Sequence, residues 1–197
     1  PLDFAVTYLA PLVAKFASLY PSITFDLELA SRRVDLVSEP FDVAIRIGEL
    51  ENSQLIARPL TTLPEYLYAS PRYLDRSGEP VEPADLERHE CLGMLKADAW
   101  TLHDGTHTTK VSIGGRFTLN SIGMIRHLAT LDMGIIMMME EIVADDLASG
   151  RLRRVLPQWH GAPVSVYAVT ETRLLPAKTQ RFIEFLQEHL GQGLTGY

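Results

Sequence analysis

Val6, Leu9, Val13, Phe16 and Tyr20 recur at helical spacing, so the first element expected is a helix over Val6–Tyr20 with Pro11 in its first turn. Tyr20-Pro21 stops it. Ile23, Phe25, Leu27 and Leu29 then alternate with Thr24, Asp26 and Glu28, the period-two pattern of a strand. Ser31 is a natural N-cap for a short helix that follows. Asp42–Ile47 is short, apolar and β-branched and comes after that helix, which predicts a buried parallel strand, and Gly48 is where the backbone turns out. Two polar loops, at Ser31 and at Arg46, are therefore expected at one carboxyl edge of a parallel sheet, the edge at which open α/β sheets bind ligands.

Further along, Leu55–Leu60 and Leu63–Ala69 read as strands, followed by short helices at Pro71–Asp75 and Pro83–Arg88. Leu92–Leu95, Trp100–Leu102 and Thr109–Ile113 suggest antiparallel pieces with a turn at Asp104-Gly105. Arg116–Asn120 is read as a strand that passes through Asn120-Ser121 into a helix over Ile122–Leu131. A buried strand at Gly134–Met138, a helix at Glu140–Ala148 ending at Gly150, and a strand at Val164–Thr170 follow. The last helix carries Phe182, Phe185, Leu186 and Leu190 on one face. The pattern predicts an α/β protein of two lobes, each a mostly parallel sheet flanked by helices. The chain is expected to cross between them near Thr61–Thr62 and Val166–Tyr167, so that residues 1–62 plus 167–197 form lobe I and residues 63–166 form lobe II.

Of the 197 residues, 46% are hydrophobic and 22% charged, the balance of a soluble globular protein. A formal charge of −7 argues against the chain itself gripping phosphates, since nucleic-acid binders carry a basic footprint. The lone Cys91 rules out an intramolecular disulfide and suits a reducing compartment. No run approaches the roughly 18 apolar residues of a membrane span. Catalysis has no carrier: there is no Gly-x-Ser-x-Gly elbow or phosphate loop, and Cys91 has no local base. Glu140-Glu141 and Asp145-Asp146 read as solvated helix faces. His103 and His107 stand four apart with Asp104 between them, but Asp104-Gly105 makes that stretch a turn, so no metal site and no cofactor are expected.

Several ordered pieces carry a family resemblance. They are Tyr8-Leu9-Ala10-Pro11-Leu12, Arg33-Val34-Asp35-Leu36-Val37, Phe41-Asp42-Val43-Ala44-Ile45-Arg46-Ile47-Gly48, Leu67-Tyr68-Ala69-Ser70-Pro71-Arg72-Tyr73-Leu74, Ala144-Asp145-Asp146-Leu147, Gly150-Arg151-Leu152 and Val155-Leu156-Pro157. In these the chain resembles the effector-binding domain of LysR-type transcriptional regulators. The resemblance implies a periplasmic-binding-protein-like fold that holds a small organic effector in the inter-lobe cleft. It also implies a cytoplasmic protein with no membrane partner, and a winged helix-turn-helix domain upstream of this region through which alone DNA is bound. The first strand of lobe I is expected to precede Pro1-Leu2-Asp3-Phe4. Self-association as a dimer, and as a tetramer in the full-length protein, is expected to pair the first helix with the helix near Ile122–Leu131. Leu9, Leu12, Val13, Phe16, Ile125 and Leu128 would then be the partner surface. Two departures from the family pattern are the Met137-Met138-Met139-Glu140 run, where a Leu-Pro pair is usual, and Asp132, where Gly is common. An extracytoplasmic solute-binding protein shares the architecture and is the alternative; an enzyme stands third.

Three helix N-termini, after Asp3, after Ser31 and after Asn120-Ser121, are the expected effector contacts, because unpaired backbone donors and the dipole favour anions there. Each of these residues can instead simply cap its helix. Arg46 can hold a carboxylate with two parallel hydrogen bonds, pair with Glu39, Glu49 or Glu51, or sit solvated at the rim. Strand alternation turns Ile47 to the opposite face from Arg46. Arg32 can reach the same region, or lie on a solvated helix face. Asp3 repels an anionic effector unless it is spent on capping; pointing inward, it suits an effector with a hydroxyl or amine, so an organic acid stays open as the effector. The candidate effector set is therefore Asp3, Phe4, Ser31, Arg32, Arg46, Ile47, Gly48, Asn120, Ser121 and Met139. Met124 and the Met run can line an adaptable apolar pocket or be plain core, and Tyr66, Tyr68 and Trp100 carry the same two readings.

Overall fold

The structure is a computed structural model that describes residues 2–29, 41–50 and 54–190. In chain order its elements begin with α1 (Leu2–Phe4), a π-helical stretch (Ala5–Leu9), α2 (Ala10–Leu19), β1 (Ala44–Ile47), β2 (Ile56–Leu63) and β3 (Glu65–Ala69). They continue with α3 (Pro71–Ser77), a 3-10 turn (Pro83–Arg88), β4 (Ala99–His103), β5 (Thr108–Ser112), α4 (Ile122–Thr130) and β6 (Ile136–Met139). The last are α5 (Glu140–Ala148), β7 (Arg153–Val155), β8 (His160–Gly161), β9 (Val164–Thr170) and α6 (Ala177–His189). The chain divides into two compact units, Pro1–Leu63 with Val164–Tyr197, and Pro64–Pro163.

In the first unit, helix Leu2–Leu19 starts earlier than its periodicity suggested, so Pro11 lies in the helix interior instead of the first turn. Proline has no N–H and its ring crowds the carbonyl four residues back. The π-helical stretch just before it, closed by the Ala10 N–H on the Ala5 carbonyl, widens the turn where that crowding falls. The helix is also long and apolar enough to cross a membrane, with mean hydropathy 1.4, which the sequence reading did not anticipate. Its stripe Phe4, Tyr8, Leu12 and Phe16 is nonetheless buried, the i, i+4 pattern of a core helix. Phe16 meets Tyr20 at 4.5 Å and both Phe182 and Phe185 of α6 at 5.1 Å between ring centres.

Strand direction corrects the expectation of mostly parallel sheets. Among the described residues the named strands pair antiparallel, in the orders β1-β9-β2, β6-β3-β7 and β5-β4-β8. Parallel pairing is confined to isolated bridges such as Cys91↔Ile135. The short helix expected after Ser31, which lies outside the described residues, suggested a parallel neighbour, but the neighbour found among the described residues is β9, which runs back between β1 and β2. β1 is accordingly half-buried along its length instead of fully enclosed. Ile23–Leu29 forms no named strand. Ile23 and Phe25 are half-buried while Thr24 and Asp26 are exposed, but Leu27 and Leu29 are exposed as well, so the alternation defines a face only over its first half; a ladder needs a hydrogen-bonded neighbour too. β2 is an edge strand, and its register shifts at Pro59, which cannot donate to the ladder. The Gln187 side chain of α6 donates to the Pro59 carbonyl at 2.9 Å.

In the second unit, Leu67, Tyr73, Leu86, Trp100, Leu102 and Ile135 belong to one buried core. The expected strands at Leu92–Leu95 and Arg116–Asn120 are reduced to single bridges. Gly134 is required by space: a Cβ there would lie 2.3 Å from the Glu90 carbonyl oxygen. Asp132 adopts φ 63°, the left-handed region in which glycine is favoured. Its carboxylate accepts from the Ser70 hydroxyl at 2.7 Å and its carbonyl from Arg76 at 2.8 Å, which offsets the backbone cost. Ser70 at the same time caps α3 by accepting from the Tyr73 N–H.

Asp146 is a second correction. Read as a solvated helix residue, it is buried and accepts from Arg126 Nε at 2.6 Å and Arg151 Nε at 2.8 Å. Periodicity showed which positions of α5 face inward only on average; the two arginines, 20 and 5 residues away, make an inward carboxylate tolerable.

Candidate functional site

Asp3 lies in the first turn of the helix, half-buried, where a carboxylate is favoured by the dipole. Phe4 is buried and stacks on Tyr8 with ring centres 4.9 Å apart, so its side chain is committed to the core of the first unit. Arg46 stands opposite Tyr167 and Ile47 opposite Val166 in the β1–β9 ladder. Gly48 follows at φ 84°, and its N–H donates to the Ser165 carbonyl at 2.8 Å. That left-handed turn is what its glycine provides. Ser31 and Arg32 lie outside the described residues.

In the second unit, Ser121 caps α4 by accepting from the Met124 N–H at 3.3 Å, and both it and Asn120 are exposed. Capping and availability coincide. Met139, at the end of β6, is buried. It lines a pocket of about 220 Å³ together with Ile122, Trp100, Met94 and Met137. The Met run is thus both core and pocket wall: Met138 and Met139 are buried and line the cavity. Met124, by contrast, is exposed. Trp100 belongs to the core and the pocket alike. Tyr68 is fully buried, and Tyr66 lies under the Arg154 guanidinium at 3.7 Å from its ring centre. Such a contact is strong when desolvated.

Glu65 was passed over in the sequence. It lines the same pocket, and the register sets it directly opposite Met139. Burial pushes its carboxyl up to about 7. The available signal was a lone carboxylate heading Tyr66-Leu67-Tyr68-Ala69, an otherwise apolar strand.

Cys91 is buried, and its thiol is pushed up to about 12, first by burial and then by the Glu90 charge. Since the thiolate is the nucleophile, native chain is expected to resist maleimide labelling at neutral pH and to label in denaturant. Rapid labelling without denaturant would contradict this burial. His103 Nδ1 meets the Thr108 hydroxyl across the β4–β5 ladder, and His107 pairs with Asp104 at 3.0 Å within the turn. Among the described residues no group of three His, Cys, Asp or Glu side chains is placed to hold a metal ion.

The helices expected to form a partner surface divide their residues. Leu12, Phe16 and Ile125 are buried inside the chain's own units and so are withdrawn from a surface, whereas Leu9, Val13 and Leu128 are half-buried. Leu2, Val6 and Leu19 on the first helix, and Met124 on α4, are exposed.

Residues 1–191 match the family model described as LysR substrate binding domain. An HTH-type transcriptional regulator of Xanthomonas campestris is 31% identical over 96% of the chain and 58% of its own length. The HTH-type transcriptional regulator DmlR of Escherichia coli is 34% identical over 96% of the chain and 63% of its own length. The chain thus spans about three fifths of such relatives. Among solved structures, the regulatory domain of CrgA, a LysR-type transcriptional regulator from Neisseria meningitidis, superposes with a TM-score of 0.79 at 29% identity, covering 97% of this chain and 96% of that one. The regulatory domain of AphB in Vibrio vulnificus gives 0.75 at 29% identity, covering 94% and 95%. These relatives share with the present chain the two-lobed α/β architecture of periplasmic binding proteins. The chain belongs to the LysR substrate-binding domain family.

Proposed function

We propose that the chain is the ligand-sensing and self-association part of a cytoplasmic, non-enzymatic transcription regulator. The family match along residues 1–191 is the observation that carries this reading. Relatives named as HTH-type transcriptional regulators favour it over a transport solute-binding protein. In this reading a small organic effector contacts Asp3 and the Arg46–Gly48 turn of the first unit, and Asn120, Ser121 and Met139 of the second. It favours one state of the regulator only through its difference in affinity between states. DNA is bound by a helix-turn-helix segment of the longer protein. Ser31 and Arg32 belong to the proposed contact set by their family position.

In the longer regulator, Asn120→Ala or Arg46→Ala is expected to leave DNA affinity without effector unchanged while reducing the effector's influence on promoter occupancy about tenfold or more, the loss of one charge-assisted or buried hydrogen bond. Footprint titrations with and without effector check this; an unaltered effector response in both variants contradicts the site. Self-association is proposed to use the half-buried Leu9, Val13 and Leu128, with Leu12, Phe16 and Ile125 supporting those helices from within. Sedimentation equilibrium is expected to show a dimer that Val13→Glu weakens, and a folded monomer at all concentrations contradicts it.

A further inference from the structure

We propose that the pocket of the second unit receives the apolar body of a compact organic amine, whose ammonium pairs with the Glu65 carboxylate. The proposal rests on the ligand-sensing reading and names the effector's chemical class.

The pocket is bounded by apolar side chains, among them Leu92, Trp100, Ile122 and Met139. Among the described residues, Glu65 is the one ionisable residue in its wall. β3 and β6 fix this juxtaposition, since Glu65 pairs with Met139 and Leu67 with Met137, and paired residues stand on the same face of a sheet. Gly161 allows the strands to close here: a Cβ on it would lie 2.7 Å from the Met137 sulfur and 3.3 Å from Glu65 Cβ. The Glu65 side chain makes no hydrogen bond or ion pair with another described residue.

A carboxylate facing an apolar cavity without a counter-charge is costly to keep ionised. A ligand ammonium removes that cost by ion pairing in a low-dielectric setting, where it is strongest. A ligand carboxylate would add a second negative charge to the same space and is disfavoured. A neutral ligand of the same shape gains the apolar contacts alone. Size is limiting too: a dry apolar cavity of roughly 150 Å³ accepts benzene, so the present 220 Å³ suits one ring with a short chain. The four methionines in the wall, Met94, Met137, Met138 and Met139, can repack around such a ring.

Isothermal titration of the 197-residue chain at about pH 8, where Glu65 is ionised, with 2-phenylethylamine, 2-phenylethanol and 3-phenylpropanoate tests the assignment. The amine is expected to bind saturably, about tenfold or more tighter than the alcohol, with the carboxylate weakest. Glu65→Gln is expected to erase the amine's advantage while keeping the alcohol's affinity. Because the comparison of the three probes is made on the unsubstituted chain, it holds whatever the variant's stability. Amine and carboxylate binding equally, an amine advantage that survives Glu65→Gln, or no saturable amine binding overturns the proposal. If organic acids bind while the amine does not, the ligand-sensing reading stands and only the amine class falls.

Discussion

Glu65→Gln is expected to raise the unfolding free energy by about 3 kcal/mol above roughly pH 8 and to change it little below roughly pH 4. The Glu65 carboxyl is raised from 4.5 to about 7 by burial in the pocket wall. A raised carboxyl favours the folded state when protonated, so its contribution is fully present below 4.5 and is lost as pH rises through 7. Glutamine has nearly the same shape and no charge, and it abolishes that loss. Urea melts of both proteins across this range are expected to coincide in acid and to diverge on the alkaline side, with the variant more stable. For a chain of this size the alkaline gain corresponds to a rise in Tm of about 6–12 °C. Parallel stability curves across the whole range would show that Glu65 is solvated, and would remove the reason for a counter-charge in the pocket. A wild-type residue that lowers stability at neutral pH is what a binding site, as distinct from a core, tolerates.

Asp146→Asn is expected to cost about 3 kcal/mol at neutral pH, the lower end for breaking a buried ion pair by altering one partner. Asp146 is buried, whereas Arg126 and Arg151 are 33% and 52% exposed, so both cations regain water when the pair is broken. Asparagine would present its NH2 to one of two guanidinium donors, losing one of the bonds at 2.6 and 2.8 Å. The pH dependence is opposite to that of Glu65. Burial alone would raise the Asp146 carboxyl, but hydrogen bonds and charge from the two arginines outweigh it and hold it below its ordinary range. Its stabilising effect is therefore present above about pH 4 and lost as pH falls further, so wild type and variant converge in acid. Melts that stay separated by the same amount down to strong acid would contradict the pairing.

The helices and strands with strong period were legible in the chain: α5 begins and ends at Glu140 and Ala148 as read, and β9 spans Val164–Thr170. Strand direction was not. The order helix then strand at Asp42–Ile47 suggests a parallel neighbour, but pairing is decided by a segment more than a hundred residues later, since Ala44 meets Val169. The π-helical stretch before Pro11 was hidden for a similar reason, because periodicity resolves a stripe and not the winding of a single turn. Asn120-Ser121 was recognised as a helix start and does cap α4. Asp146 and Glu65 were missed because an acidic residue in sequence looks solvated by default. Only the partners Arg126 and Arg151, 20 and 5 residues away, or the lack of a side-chain partner for Glu65 among the described residues, distinguish the exceptions.

The central claim, that this chain senses a small organic molecule, is tested most directly by the thermal unfolding of the chain against a concentration series of small organic acids, amino acids, amines and aromatic compounds. A ligand selective for the folded state stabilises it by about 2.7 kcal/mol at a hundredfold excess over Kd. At least one compound class is expected to raise Tm by about 5–10 °C in a saturable way, and Asn120→Ala is expected to shrink that rise. A chain whose Tm is unmoved by every class at millimolar concentration, while remaining cooperatively folded, would contradict the account.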